Sequence, residues 1–298
     1  MIDILLATYN GENFLKEQID SLKNQSYYDW RLLIHDDGSI DKTIDIIKEY
    51  QRNDPRIILI EDGIKFGNAG KNFMHLLSFS TSDFVMFCDQ DDIWLHNKIE
   101  FHYNGIKDKK TPAMIYSNGY IYKNNVNIQI EFITFHRNNI QDSIFLNGGI
   151  HGCCVMINKL MLEKINNIFP DYVYMHDHFI TMLSVTFGET IYIDKPLMLY
   201  RQHDNNVTGN IETSFFLRLK TFLNYNNPII EKRHYNANKS FYETYKLIMD
   251  EKKRKLFKDY LRFTEVNLIQ RLVIVIKNSF KVISVKNLVL KTLLRKPI

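Results

Sequence analysis

Residues 84–94 read FVMFCDQDDIW. Five apolar positions run straight into three carboxylates, Asp89, Asp91 and Asp92, set within four positions. A short apolar run that stops at polar residues reads as a buried strand. In open α/β sheets, ligands bind beyond the carboxyl ends of such strands. Three crowded carboxylates repel one another. A hard divalent cation relieves that cost, because Mg²⁺ and Mn²⁺ take oxygen ligands and bridge carboxylates to substrate phosphates. The competing reading is a solvated acidic turn that caps a helix, and the place at a strand end favours the metal.

Upstream the same arrangement recurs. Residues 2–7, 31–35 and 57–60 read as strands, and residues 14–22, 41–50 and 71–79 carry apolar residues at helical spacing. Ser39 or Asp41 is placed to cap the second of these helices. Strand–helix alternation predicts βαβ units and a mostly parallel sheet flanked by helices. Polar motifs close the first, second and fourth strands: Thr8-Tyr9-Asn10-Gly11, Asp36-Asp37-Gly38-Ser39 and the acidic run. Gly67-Asn68-Ala69-Gly70-Lys71-Asn72 precedes a helix and could approach a nucleotide, although it lacks the GxxxxGK[ST] spacing of a phosphate loop.

Downstream the pattern is mixed. Residues 114–122, 152–157 and 190–193 suit strands, 123–141 a loop or hairpin, and 179–187 a helix. From Thr213 helices are expected, broken near Asn226-Asn227-Pro228. Met175-His176-Asp177-His178 offers a carboxylate beside an apolar helix, a candidate general base. In Tyr200-Arg201-Gln202-His203, Arg201 could meet phosphate oxygens and His203 could ligate a metal.

The chain has 298 residues and is 45% hydrophobic, enough for a packed core with a helical extension. Cys88, Cys153 and Cys154 are odd in number and two are adjacent, which predicts buried free thiols in a reducing compartment. MIDILLATYN has no basic n-region, and no stretch reaches about 18 uncharged apolar residues, so neither a signal peptide nor a membrane span is expected. Charge is divided. Residues 211–298 hold 19 Lys and Arg against 7 Asp and Glu, while residues 1–210 hold 19 against 27. The acidic front suits metal binding. The basic tail, with KKRKLFK at 252–258 and an apolar stretch at 268–294 carrying Lys277, Lys281, Lys286 and Lys291, suits an anionic membrane surface or a helical bundle. No nucleic-acid motif accompanies it.

Taken in order, ILLATYNG, HDDGS, GNAGKNF, FCDQDDIW and YRQH–NV resemble the family 2 glycosyltransferases, and within them the bacterial rhamnosyltransferase-type subgroup. The resemblance covers about residues 2–208. It implies a GT-A fold: a catalytic region over 1–210, with a nucleotide-sugar-binding half at about 1–95 and an acceptor half at about 96–210, followed by the basic helical region 211–298. It implies an inverting transfer of a single sugar from a nucleotide-sugar donor, dTDP-rhamnose or a UDP-hexose, to a hydroxyl of a glycan acceptor, lipid-linked in the version that uses the basic tail. The setting would be bacterial surface polysaccharide synthesis in the cytoplasm, peripheral on the inner face of the membrane. By position, Thr8, Tyr9 and Asp37 would meet the nucleotide, with Tyr9 and Asp37 on its base. Asp89 would lie near the ribose, Lys71, Asn72 and Arg201 would contact the nucleotide or its diphosphate, and Asp91 with His203 would hold Mg²⁺ or Mn²⁺. Asp177 would be the catalytic base. Ala7 stands where many members have Pro, and His176-Asp177 where many have Glu-Asp. The QxxRW signature of processive synthases is absent. The alternatives are a catalytically inactive nucleotide- or carbohydrate-binding relative and a nucleotidyltransferase.

Overall fold

Residues 1–123, 125–203 and 224–298 are described in the computed structural model. The Asn205–Val207 part of the YRQH–NV motif and the expected helical start from Thr213 to residue 223 lie outside the described residues. The chain divides into two compact units. One comprises Met1–Thr134, Ile150–Asn167 and the described residues of Glu189–Val207; the other comprises Phe135–Gly149, Ile168–Gly188 and the described residues of Thr208–Ile298.

The first unit is built on its apolar runs. Strand β1, Ile2–Thr8, is buried at every position but Ala7. That near-continuous burial is what a central parallel strand covered on both faces requires. It lies between β2 (Trp30–Asp36) and β4 (Phe84–Cys88), parallel to both, and β3 (Ile57–Leu59) extends β2 in parallel. Helices α1 (Leu15–Lys23), α2 (Thr43–Asn53) and α3 (Ala69–Ser78) connect these strands. Among the described residues the sheet has nine strands. It continues through β8 (Val155–Asn158), antiparallel to β4, then β6 (Ala113–Lys123), antiparallel to β8, then β9 (Glu189–Gln202), parallel to β6. The edge strand β5, Ile93–Trp94, pairs antiparallel with Met198–Leu199, and β7 (Val126–Glu131) folds back on β6, the hairpin of the two forms expected there. Helices α4 (Lys98–Ile106) and α6 (Lys159–Asn167) complete the unit.

Three local expectations change. Residues 152–154 form a 3₁₀ turn, closed by Cys154 N–H to His151 O at 3.0 Å, so the strand starts only at Val155. The strand expected at 190–193 runs on to Gln202. It passes Pro196, which sits opposite Asn118 where the register with β6 shifts, a place where a missing ladder N–H is tolerated. Helix α2 begins at Thr43 behind Lys42, which makes no side-chain cap. Asp41, one of the two residues expected to cap this helix, accepts from the Thr43 N–H at 3.0 Å and its hydroxyl at 2.5 Å, so only the helix start moves. All three cysteines are free and buried.

In the second unit, α5 (Ile140–Ser143) and α7 (His176–Phe187) accompany α8 (Lys232–Tyr245), α9 (Glu251–Phe263), α10 (Leu268–Asn278) and α11 (Val285–Leu294). Asp250, Asn267 and Ser284 cap the last three by accepting N–H bonds from Lys253, Gln270 and Asn287. Phe145 packs edge-on to Tyr260 and Phe263 at 5.1 and 5.0 Å between ring centroids, and Phe241 stacks on Phe257 at 5.5 Å. Such aromatic contacts add stabilisation beyond their buried area. Among the described residues no helix is long and apolar enough to cross a membrane.

Candidate active site

Sheet register brings the three polar loops together. Thr8 pairs with Asp36 across β1 and β2, and Leu6 pairs with Cys88 across β1 and β4, so residues 8–11, 36–39 and 89–92 leave the same edge side by side. Hydrogen bonds then lace them. The Thr8 hydroxyl donates to Asp36 Oδ2 at 2.8 Å, and the Asp37 N–H to Thr8 O at 2.9 Å. Asp36 Oδ1 also accepts the N–H groups of Gly38 and Ser39 at 3.0 and 2.7 Å. That tight turn needs Gly38 at φ +91°. Beside it opens a cleft of about 410 Å³ lined by Asp36, Gly38, Ser39, Ile44, Glu61 and Lys65 among others.

Gln90, which the sequence reading passed over, clamps the first loop. Its Oε1 accepts the Tyr9 N–H at 2.9 Å and its Nε2 donates to Tyr9 O at 3.0 Å. Tyr9 itself is 56% exposed. A Cβ on Gly11 would run into this Gln90 amide, so glycine there leaves the clamp its room. Asp37 accepts the Phe66 N–H on one oxygen and the Asn68 N–H on the other, at 2.5 and 3.1 Å. Lone pairs remain on both, since a carboxylate accepts about four bonds.

The acidic run splits by burial. Asp92 is wholly buried, and burial pushes its carboxyl well above the usual range, with the charges of Asp91 and Asp89 adding to the push. Burial therefore disfavours a charge on Asp92 more than on its neighbours in the run. Its Oδ1 accepts the Arg201 N–H at 3.0 Å, while Oδ2 has no hydrogen-bond partner among the described residues. Asp89 is half-buried. Carboxylate atoms of Asp89 and Asp92 lie within 4.8 Å of each other and of Cys153 Sγ. Hydrogen bonding with Cys154 and burial push the Cys153 thiol well above its ordinary range. Asp91, like Asp89, is half-buried, and its Oδ2 meets His203 Nε2 at 2.8 Å. Their side chains are 16% and 21% exposed. One carboxylate and one imidazole, half-buried and converging, form a donor set that fits a divalent ion.

The pairing of β5 with β9 brings Asp91 and His203 together. Ile93 opposite Leu199 sets residues 91–92 beside 201–203, and Trp94, 2% exposed, anchors the run. Behind Trp94 lies Lys98, fully buried, its Nζ 4.0 Å from the indole centroid and donating to Cys153 O at 2.5 Å. Arg201 is held by the protein. Its Nε donates to Asp91 O at 2.7 Å, its Nη2 pairs with Glu17, and its guanidinium lies against the rings of Phe14 and Tyr122. Phe14 in turn stacks on His203 at 4.7 Å.

Lys71 is exposed at the start of α3, and its N–H donates to the capping Asn68. Asn72 lies one position further on and is 1% exposed. Both ends of its amide are taken up by His35, at 2.7 Å to Nδ1 and 3.2 Å to the carbonyl.

Asp177 belongs to the second unit, in the first turn of α7. Burial raises its carboxyl to about 6, against a hydrogen bond from the His178 N–H and the charge of Arg137, which pull it down. Its histidine neighbours are buried and lowered to about 3, so both are neutral at physiological pH. Gly149 presses on this turn: a Cβ there would collide with the Asp177 carbonyl and the His178 nitrogen. The NGG sequence at 147–149 was the available signal for that close approach.

Comparisons with known proteins show the family and the fold. Glycosyl transferase family 2 matches residues 3–166. The dTDP-rhamnosyl transferase RfbG of Shigella flexneri is 35% identical over 223 residues, 68% of this chain and 73% of that protein. The Escherichia coli UDP-Glc:alpha-D-GlcNAc-diphosphoundecaprenol beta-1,3-glucosyltransferase WfgD is 29% identical over 60% of this chain and 68% of its own length. Among solved structures, S. aureus TarS 1-349 in complex with UDP-GlcNAc superposes with a TM-score of 0.62. It covers 91% of this chain and 77% of that one at 15% identity, a likeness of fold.

Proposed function

The chain belongs to glycosyl transferase family 2, with a GT-A fold, and from that premise we propose that it moves one sugar from a dTDP- or UDP-sugar to a hydroxyl of a lipid-linked glycan, with inversion, in building a bacterial surface polysaccharide. The observation that carries this reading is the Asp91–His203 pair, 2.8 Å apart, at the strand edge where the loops of Thr8, Tyr9 and Asp37 meet. Tyr9 and Asp37 hold the base, Asp89 the ribose, and Lys71 reaches toward the nucleotide. Asp91 and His203 would hold Mg²⁺ or Mn²⁺, which when bound supplies positive charge against the departing diphosphate. Arg201 acts through others: it fixes the backbone of Asp91 and, with Phe14, the plane of His203. Asp177, raised to about 6 yet ionised at neutral pH, takes the proton of the acceptor hydroxyl as its oxygen attacks.

A ligand that binds only the folded state raises its melting temperature. In a thermal-shift series with dTDP, UDP, GDP and ADP, dTDP or UDP should raise the melting temperature only when Mn²⁺ is present, and Asp91→Ala should remove that rise. No shift with any nucleotide would refute the donor assignment.

The relative WfgD carries a diphosphoundecaprenol acceptor in its name, and this chain has a surface suited to a lipid-borne acceptor. On α10, Leu268, Ile269, Val273 and Ile276 are exposed, as are Leu290 and Leu293 on α11, with Lys277 and Lys286 exposed among them. Exposed apolar clusters rimmed by basic groups mark interaction surfaces, and each basic residue is worth about 1 kcal/mol near an anionic leaflet. The protein should float with vesicles containing phosphatidylglycerol, less so in high salt, and Ile269→Glu should reduce the bound fraction. Equal recovery with and without vesicles would rule out the membrane role.

A further inference from the structure

We propose that His35, Asp62 and His75 form a second metal site, for Zn²⁺ or a similar borderline ion, separate from the Asp91–His203 pair. The three come from different elements: the end of β2, the loop after β3, and α3. His35 Nε2 lies 3.2 Å from Asp62 Oδ1, and His75 Nε2 lies 2.6 Å from Asp62 Oδ2. The ligand atoms all fall within 4.8 Å of one another.

The hydrogen bonds of Asn72 fix what faces Asp62. The His35 carbonyl can only accept, so the Asn72 atom opposite it is the amide nitrogen, at 3.2 Å. The other end of that amide is then an oxygen, and it must accept from His35 Nδ1–H at 2.7 Å. A neutral His35 therefore points a lone pair at the Asp62 carboxylate, acceptor against acceptor. A cation, or a second proton that makes an ion pair with Asp62, fills that gap. A ring whose Nδ1–H is fixed by a side-chain oxygen while Nε2 faces inward has the orientation of a metal-bound histidine. Ligands about 2.0–2.2 Å from zinc in a tetrahedron stand roughly 3.3 Å apart; the His35–Asp62 contact of 3.2 Å has that spacing, and the His75–Asp62 contact of 2.6 Å opens to admit the ion. Two imidazoles and one carboxylate favour zinc over Mg²⁺, and leave a fourth position for solvent. The half-buried side chains of Asp62 and His75, 25% and 18% exposed, give an ion its way in.

The consequence reaches the nucleotide loop. Phe66 packs on the rings of His35 and His75 at 5.8 and 5.0 Å, and its N–H is held by Asp37. A metal at this site would pin residues 62–66, and with them the loop that braces Asp37.

The test uses chelator-stripped protein and zinc or cobalt alone. Zn²⁺ should raise the melting temperature of Asp91→Ala by several degrees at one ion per chain, and should not raise that of the double variant Asp91→Ala, His75→Gln. Co²⁺ bound to Asp91→Ala should show the intense visible bands of a four-coordinate site. Absence of a zinc shift in Asp91→Ala, or an equal shift in the double variant, would overturn the proposal. Should the double variant fail to fold, the cobalt spectrum still decides, because weak bands of an all-oxygen six-coordinate ion would overturn it too. None of these readouts depends on sugar transfer, so the donor assignment can fail while this site stands.

Discussion

Asp177→Asn is expected to abolish sugar transfer and also to raise the melting temperature at neutral pH. The two effects share one cause. A catalytic base must be ionised, and its burial raises the Asp177 carboxyl to about 6 from an ordinary 3.8. At pH 7 the folded protein therefore holds a charge it disfavours. A tenfold change in proton affinity corresponds to about 1.4 kcal/mol, and discounting for partial exposure leaves roughly 1–2 kcal/mol of stability regained by a neutral amide. The sign follows from proton binding. Because the folded state holds the proton more tightly, Asp177 stabilises most below about pH 4, and that contribution is lost as pH rises through 6. The stability gap between variant and wild type should open over that same window. Asparagine keeps an acceptor for the His178 N–H, so the local turn survives. Wild-type turnover should fall below about pH 6 as the base protonates, and the variant should lose about 10²–10⁴-fold. Acceptor transfer assays and calorimetry between pH 4 and 8 measure both. Transfer within tenfold of wild type would exclude Asp177 as the base, and a lowered melting temperature would mark it as structural.

Much of the nucleotide half was legible because its signals are local. Each apolar run ends in a polar motif, and parallel neighbours place those motifs at one edge. The long-range partnerships were not local. Asp91 and His203 meet because a two-residue strand, Ile93–Trp94, pairs with Met198–Leu199. Two residues carry no periodicity, so only the family resemblance linked these positions. Arg201 was read toward phosphate, whereas its nitrogens meet Asp91 O and Glu17, contributed by segments far apart in sequence. Asn72 is different, because helical spacing was enough to place it. Asn72, Phe73, Leu76 and Leu77 form the buried face of α3, and Lys71 falls on the exposed one. A helix turns about 100° per residue, so Asn72 and Lys71 face different ways: the Asn72 amide is bonded to His35, and Lys71 is exposed. The acidic run misled in a subtler way. Burial disfavours a charge on Asp92, so the run's charge falls mainly on Asp89 and Asp91.

Gly149→Ala should cost the enzyme its turnover while leaving nucleotide binding intact. The side chain it adds is a single methyl, but the space is already taken by the Asp177 carbonyl and the His178 amide. Backbone at the start of a helix cannot rotate aside as a flexible side chain can. Either residues 147–149 retreat or the first turn of α7 shifts. The first course strains the hydrogen bond from Arg137 to Gly148 O and the one from Glu231 N–H to Asn147 Oδ1, 3.0 Å long. The second moves Asp177 itself. Overpacking of this kind costs about 1–3 kcal/mol, and a displacement near 1 Å of a reacting group costs about 10²-fold in rate. The nucleotide-binding residues belong to the other compact unit, so the Mn²⁺-dependent shift with dTDP or UDP should persist. Gly11→Ala provides the contrast. Its added carbon meets only the end of the Gln90 side chain, so it should weaken the nucleotide shift through the Tyr9 clamp. Measured side by side, turnover lost with nucleotide binding kept in Gly149→Ala would tie the rate to the position of Asp177. If Gly149→Ala instead lost both together, the close approach would be a requirement of folding alone.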